Sequence, residues 1–469
     1  MFDRTRQNDE HRGSVSPETM QKVFRGCDDF MLREIDLGRR GSRGWVCWLD
    51  GCVSSGLLGE SVLRPLSRLE GRTGPECLTA ALRGGVFAPD AKLRRRTEDA
   101  AADLAAGCAA LLFPGTGAAL TLEVRTDAAR SVETPAIEKS VLGAKDAFVE
   151  TLRVNVSLLR RRSPVPALKL RQVRVGRRAP VTAAVLYMEG TGAEARAETV
   201  LRRLEALEVP GLPAAGALER ALCPPPRGSF PRLIHTERPD RFLQELLSGR
   251  VGVLADGLPV GFLLPASLRD LLSVEEDRAR HASVAAALGL LRRLALLLSL
   301  LLPAVYVAAA MYHPEMIPAT LLRSLIRAKE AVPFSTPAEV LGMLVAFELL
   351  QEAGIRLPEP VGQTVSVIGA LIVGQSAVEA KVLSPIVIIV AALAGIGSYA
   401  QPSQELGAAI RLWRFALTVL AAVLGLFGVM AGTMVLLWRL CDTEDLGLCY
   451  LGGGDGSPLR RLRKKEAAP

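Results

Sequence analysis

An α/β soluble N-terminal region of two related subdomains, followed by an α-helical polytopic membrane domain, is the fold class this sequence predicts. Three observations lead there. Up to about Glu276 the chain is rich in Arg, Asp, Glu, Gly and Pro and its apolar runs have strand length, whereas beyond it they approach the roughly 20 residues that cross a bilayer. The mean hydropathy of +0.26 with 23% charged residues is too oily for an ordinary soluble enzyme and too charged for a purely membranous protein. The soluble part also echoes itself: WLDG at 48–51 then SVLRPL at 61–66, and YMEG at 187–190 then TVLRRL at 199–204.

Residues 1–20 read as a disordered N-terminus, and MFDRTRQNDEHRGS carries no apolar run of signal-peptide type, so the soluble part is expected in the cytoplasm. In subdomain 1 (21–135) and subdomain 2 (145–275), GWVCWLDG and TAAVLYMEG each read as a buried strand ended by an acid and a glycine, with a Leu-spaced helix after it. CAALLFPGTGAALTLEV and GRVGVLADGLPVGFLLP are hairpin signatures, two apolar runs around a Gly-containing turn. Gly115-Thr116-Gly117 could begin a dinucleotide fingerprint but lacks the third glycine and the following helix, which favours the hairpin turn. Asp50 and Glu189 could be active-site acids; before glycine at a strand end they read better as turn or capping residues.

Catalysis finds little support. No nucleophile elbow, phosphate loop or zincin motif occurs, and the four histidines are dispersed. Eight cysteines form no C-x-x-C and read as free thiols, and no cofactor is expected. The net charge of +8 invites nucleic acid, but the arginines are spread without aromatic interleaving; an anionic lipid surface accounts for them, and no nucleic-acid partner is expected.

The membrane domain (285–440) opens with an uncharged run from Leu294 to Met311 behind Arg292 and Arg293, which hold its N-terminal side in the cytoplasm. Pro303 predicts a kink. His313, Pro314, Glu315 and Pro318 then form a turn, either rigid and solvated or a metal or proton site, and 319–330 is a basic interfacial helix. Residues 337–354 carry Glu339, Glu348 and Glu352 in an otherwise apolar run and read equally as a re-entrant, pore-facing segment or an interfacial helix. In 361–380, Gly362, Ser366, Ala370 and Gly374 recur at intervals of four on one stripe for close helix packing, while Thr364, Gln375 and Glu379 make a polar strip. Spans at about 290–311, 361–380, 383–400 and 416–438 leave RLWRF (411–415) as an interfacial elbow, and the basic tail 441–469 argues for a cytoplasmic C-terminus.

Read together, HPEMIP, PFSTPAEV, FELLQEAGIRLPEPVGQTVSVIGALIVGQSAVEA and IRLWRF resemble the membrane core of the A subunit of GerA-type spore germination receptors. FVETLRVNVSLLRRR, VGRRAPVTAAVLYMEG, HTERPDRF and GRVGVLADGLPVGFLLPAS carry the likeness through the soluble part, and FRGCDDFMLREIDL and RSVETP extend it more loosely into subdomain 1. The resemblance implies a subunit of the inner membrane of the bacterial endospore that assembles with itself, as a pentamer, and with a transporter-like B subunit and a lipoprotein C subunit. It implies a gated cation conduit, whose path would draw on Glu339, Glu348, Gln363, Gln375 and Glu379. An accessory subunit of the spore dipicolinate-channel system shares the architecture, and a non-conducting scaffold is the remaining alternative. This chain departs from the family at Gly143-Ala144-Lys145-Asp146 and at Leu344, where the family often has a glutamate.

Crowding the small-residue stripe should block close helix approach: Ala370→Leu or Gly374→Leu is expected to abolish self-assembly, read as loss of the oligomer band on native gels.

Overall fold

The computed structural model of the protein describes residues 14–37, 42–69, 73–88, 90–126, 135, 138, 144–211, 215–223, 230–274, 276, 277, 280–330, 332–356 and 374–451. By its internal contacts the chain divides into two units, 1–225 with 233–265 and 226–232 with 266–469.

The first unit holds two five-stranded sheets. In the first half, β1 (Phe30–Leu37), β2 (Ser42–Leu49), β3 (Ala91–Arg94), β4 (Cys108–Leu112) and β5 (Ala119–Glu123) form an antiparallel sheet of order β1-β2-β4-β5-β3. In the second, β6 (Leu168–Val175), β7 (Val181–Met188), β8 (Ile234–Thr236), β9 (Val251–Ala255) and β10 (Gly261–Leu264) repeat that order as β6-β7-β9-β10-β8. Helices fall at matching places, Thr97–Ala105 before β4 and Pro239–Leu247 before β9. Alternation along β2 sorts the first core into two layers. Val46 points to Leu58, Val62, Leu66, Leu111 and Leu120, while Cys47 and Leu49 point to Met20, Phe24, Ala100 and Leu104.

The turn readings hold. WLDG and YMEG end β2 and β7, and Gly51 (φ +84°) and Gly190 (φ +81°) take the left-handed backbone those turns need. The Gly115–Gly117 segment is the β4–β5 hairpin turn. Asp50 and Glu189 enter ion pairs at 2.7 Å with Arg153 and 3.2 Å with Lys169. Residues 14–20 are ordered, which corrects the reading of 1–20 as disordered: a Ser16–Thr19 capping box starts a helix at Pro17, and Met20 is fully buried.

What joins the halves is a buried ion pair. Arg160 donates through Nε and Nη2 to the two oxygens of Asp29 at 3.0 and 2.9 Å, and through Nη1 to the Leu168 carbonyl at 2.7 Å. Around it the edge of β6 is covered: Asp28 N–H donates to the Leu170 carbonyl (2.8 Å), Leu170 N–H to the Gly26 carbonyl (3.2 Å), and Gln172 N–H to Asp28 Oδ2 (2.7 Å). Lys169 Nζ reaches the Val23 carbonyl at 2.9 Å. An otherwise open strand edge is thereby closed. All eight cysteines are free, and burial pushes the Cys47 and Cys52 thiols up to about 12.

The second unit is helical. Ala282–Tyr312 runs as one helix through Pro303, which removes one backbone hydrogen bond. It is followed by Ala319–Lys329, Thr336–Arg356, Pro385–Tyr399 and Gln404–Asp442. Ala282–Tyr312 and Gln404–Asp442 are long and apolar enough to cross a membrane, and Pro385–Tyr399 is apolar but shorter. RLWRF lies inside the last helix, not at an interfacial elbow, because Ser403 caps the N-terminus two turns earlier.

Nor is 416–438 one straight span. Gly425 (φ +62°, ψ −143°) interrupts the helix, and a Cβ on Gly428 would fall 2.2 Å from the Leu420 carbonyl oxygen and one on Gly432 2.5 Å from Leu417 Cδ2. Residues eight apart in a straight helix are separated by about 12 Å, so the chain doubles back here. Tyr312 packs on Gly425 and its hydroxyl donates to the Ala422 carbonyl at 2.8 Å, satisfying a helix-end acceptor. After the return arm, β11 (Glu444–Asp445) and β12 (Leu448–Cys449) form a small hairpin. The Tyr450 carbonyl that follows accepts from Leu268 N–H at 2.8 Å, so the chain enters and leaves the helical unit at one end.

Asp29→Ala should destabilise the first unit by about 3–5 kcal/mol, because it strands a buried guanidinium, and urea titration followed by proteolysis would read it. At the entry to the helical unit, Arg292 donates to Asp277 and holds its carboxyl below the usual carboxylate range. That depressed value contributes stability above the ordinary carboxylate pKa and loses it as pH falls through the lowered one. Proteolytic cleavage near 277 should therefore accelerate only below about pH 4, and Asp277→Asn should remove the transition.

Candidate functional site

Charged side chains among apolar helices must find partners or water, and the helical unit brings two such groups together. On Thr336–Arg356, Glu348 meets the last helix: its Oε1 lies 2.8 Å from Arg411 Nε and its Oε2 3.9 Å from Arg414 Nη2. Arg411 and Arg414 are three apart and share a helix face. Arg414 is 2% exposed, donates through Nη1 to the Ala394 carbonyl at 3.4 Å, and has no hydrogen-bond partner at Nε. Two guanidiniums thus face one carboxylate, and the cluster carries a net positive charge.

About two and a half turns earlier on the same helix, Glu339 is buried. Its Oε2 accepts from Ser384 N–H at 2.8 Å, which fastens the N-cap of Pro385–Tyr399. Its Oε1 lies 3.6 Å from Lys329 Nζ, and that ammonium donates to the Thr336 hydroxyl. The Tyr306 hydroxyl sits beside Glu339 and Ser384.

Of the residues the sequence nominates, Glu339 and Glu348 therefore lie on one continuous helix in two separate polar clusters. Gln375 and Glu379 are exposed and meet each other at 3.3 Å, one turn apart. Gly374 is buried, with room for a Cβ 3.7 Å from Ile388. Gly362, Gln363, Ser366 and Ala370 lie outside the described residues. His313 Nδ1 is 3.2 Å from Glu315 on an exposed turn whose Pro314–Met316 segment is a 3-10 helix, and Pro318 caps the next helix. Sequence reasoning missed Lys329, Tyr306 and Ser384, and set Arg411 and Arg414 apart as interfacial; two arginines three apart beside a long apolar run were the available signal.

The family model described as Bacillus/Clostridium GerA spore germination protein matches residues 18–459. The chain is 32% identical over 450 residues to a Bacillus subtilis (strain 168) protein named uncharacterized membrane protein YfkQ, spanning 96% of this chain and 87% of that one. It is 32% identical to spore germination protein KA (92% and 80%) and 29% identical to spore germination protein B1 (92% and 90%) of the same organism. Among solved structures, the N-terminal domain of the A subunit of the Bacillus megaterium spore germinant receptor GerK3 is similar at 19% identity and TM-score 0.41, over 54% of this chain and 95% of that one.

The Glu348–Arg414 contact should be energetically coupled. In a double-mutant cycle, Glu348→Gln and Arg414→Leu are expected to interact by about 0.5–3 kcal/mol, the pair being less damaging than their sum, as read from thermal inactivation in detergent.

Proposed function

Because this chain belongs to the Bacillus/Clostridium GerA spore germination protein family, we propose that it is the A-type membrane subunit of a nutrient-responsive germination receptor in the inner membrane of the endospore. In this reading it oligomerises with itself, as a pentamer, and assembles with a transporter-like B subunit and a lipoprotein C subunit. The assembly is a gated cation conduit whose opening releases ions and ends dormancy. The spore germination proteins KA and B1 match across most of their length and support the receptor role. The observation that carries the conduit is the placement of acids on Thr336–Arg356: Glu339 and Glu348 sit on a helix packed among apolar ones, held by the basic groups of Lys329 and Arg411 that an ion could displace. Entry and exit of the chain at one end support an even number of crossings with both termini in the cytoplasm.

A second reading rests on the surplus charge at Arg411 and Arg414, which repels cations. It makes the subunit a non-conducting scaffold or relay, or an accessory to the dipicolinate-channel system.

Potassium efflux from liposomes, with and without the transporter-like partner, separates the two. In the conduit, Glu348→Gln leaves both guanidiniums uncompensated and should slow efflux about tenfold, the effect of roughly 1.4 kcal/mol on a barrier. No flux in any combination, despite verified oligomers, would leave the relay.

A further inference from the structure

We propose that Glu339, with the hydroxyls of Tyr306 and Ser384, forms a monovalent-cation site inside the helical unit, and that Lys329 is a tethered ammonium competing for it. Glu339 is 1% exposed and Ser384 2%; Glu339 Oε1 is sealed from solvent without a hydrogen-bond donor, and the hydroxyls of Ser384 and Tyr306, sealed likewise, lie beside it and beside each other. A sealed carboxylate oxygen without a donor incurs a desolvation penalty that a small hard cation would relieve, and the two hydroxyls can turn their lone pairs toward the same ion. The three come from separate places: Ala282–Tyr312, Thr336–Arg356 and the cap of Pro385–Tyr399. Only the second carboxylate oxygen is committed, accepting from Ser384 N–H at 2.8 Å.

The site offers one negative charge, so it suits one positive charge. Lys329 Nζ stands 3.6 Å from the free oxygen, beyond hydrogen-bond distance, and gives a proton to Thr336 instead. It neutralises the carboxylate without filling its coordination. Its helix, Ala319–Lys329, buries only Leu325, so displacing the ammonium disrupts little packing. The site depends on the conduit reading for its use and not for its existence.

Binding of thallium(I), a potassium surrogate, to the full-length protein in detergent by equilibrium dialysis tests this. Lys329→Gln should bind one ion per chain at least about tenfold more tightly than the wild type, with potassium competing, as a loss of ~1.4 kcal/mol of competition gives. Lys329→Arg should behave as the wild type, and Thr336→Val, which releases the ammonium, should fall between. Adding Glu339→Gln to Lys329→Gln should abolish binding. Should that pair misfold, Tyr306→Phe in its place should weaken binding measurably. Equal affinity in wild type and Lys329→Gln, or binding that survives loss of Glu339, overturns the proposal. Thallium binding without liposome flux would retain the site and remove the conduit; flux indifferent to Lys329 and Glu339 with no binding would do the reverse.

Discussion

A guanidinium that no water reaches has to be compensated where it stands, and Arg414 sets that constraint on the helical unit. Its neighbours answer it from two directions, the Ala394 carbonyl and, at longer range, Glu348. Three helices are thus held in register by one charge: Thr336–Arg356 supplies the acid, Pro385–Tyr399 the carbonyl and Gln404–Asp442 the arginine. Coulomb attraction at such distances is strong only because the surroundings are dry. The same dryness makes a mismatch costly, so these positions resist single replacement better when changed in pairs.

The soluble unit solves a related problem with a different geometry. Asp29 and Arg160 are as deeply buried, but their contact is bidentate and Arg160 has the Leu168 carbonyl as a further acceptor. Such a pair specifies how two similar sheets meet more than it stabilises either. Apolar packing within each half, along alternating strand positions, supplies the bulk of the burial.

Much of this was legible beforehand, and the reasons for the rest are physical. WLDG and YMEG announced a repeated strand and turn because an acid followed by glycine has few other uses after an apolar run. Hairpins and long apolar helices declare themselves through local periodicity. The doubling back at Gly425 did not, since glycine in an apolar run reads equally as a packing residue; only Gly428 and Gly432, in contact with Leu420 and Leu417, distinguish a fold from a span. Glu348 and Arg411 are 63 residues apart, and no local pattern pairs them. Glu339 was visible as an anomalous acid, but its role as the acceptor at another helix's cap depends on tertiary placement.

Two sheets with the same strand order, the same helix placements and only a short shared string mean that one topology here accommodates two different cores while keeping its turns. Residues 26–28 of the first half cover the edge of β6 in the second, so separating the halves would reopen a strand edge and leave its backbone groups to water or to another chain.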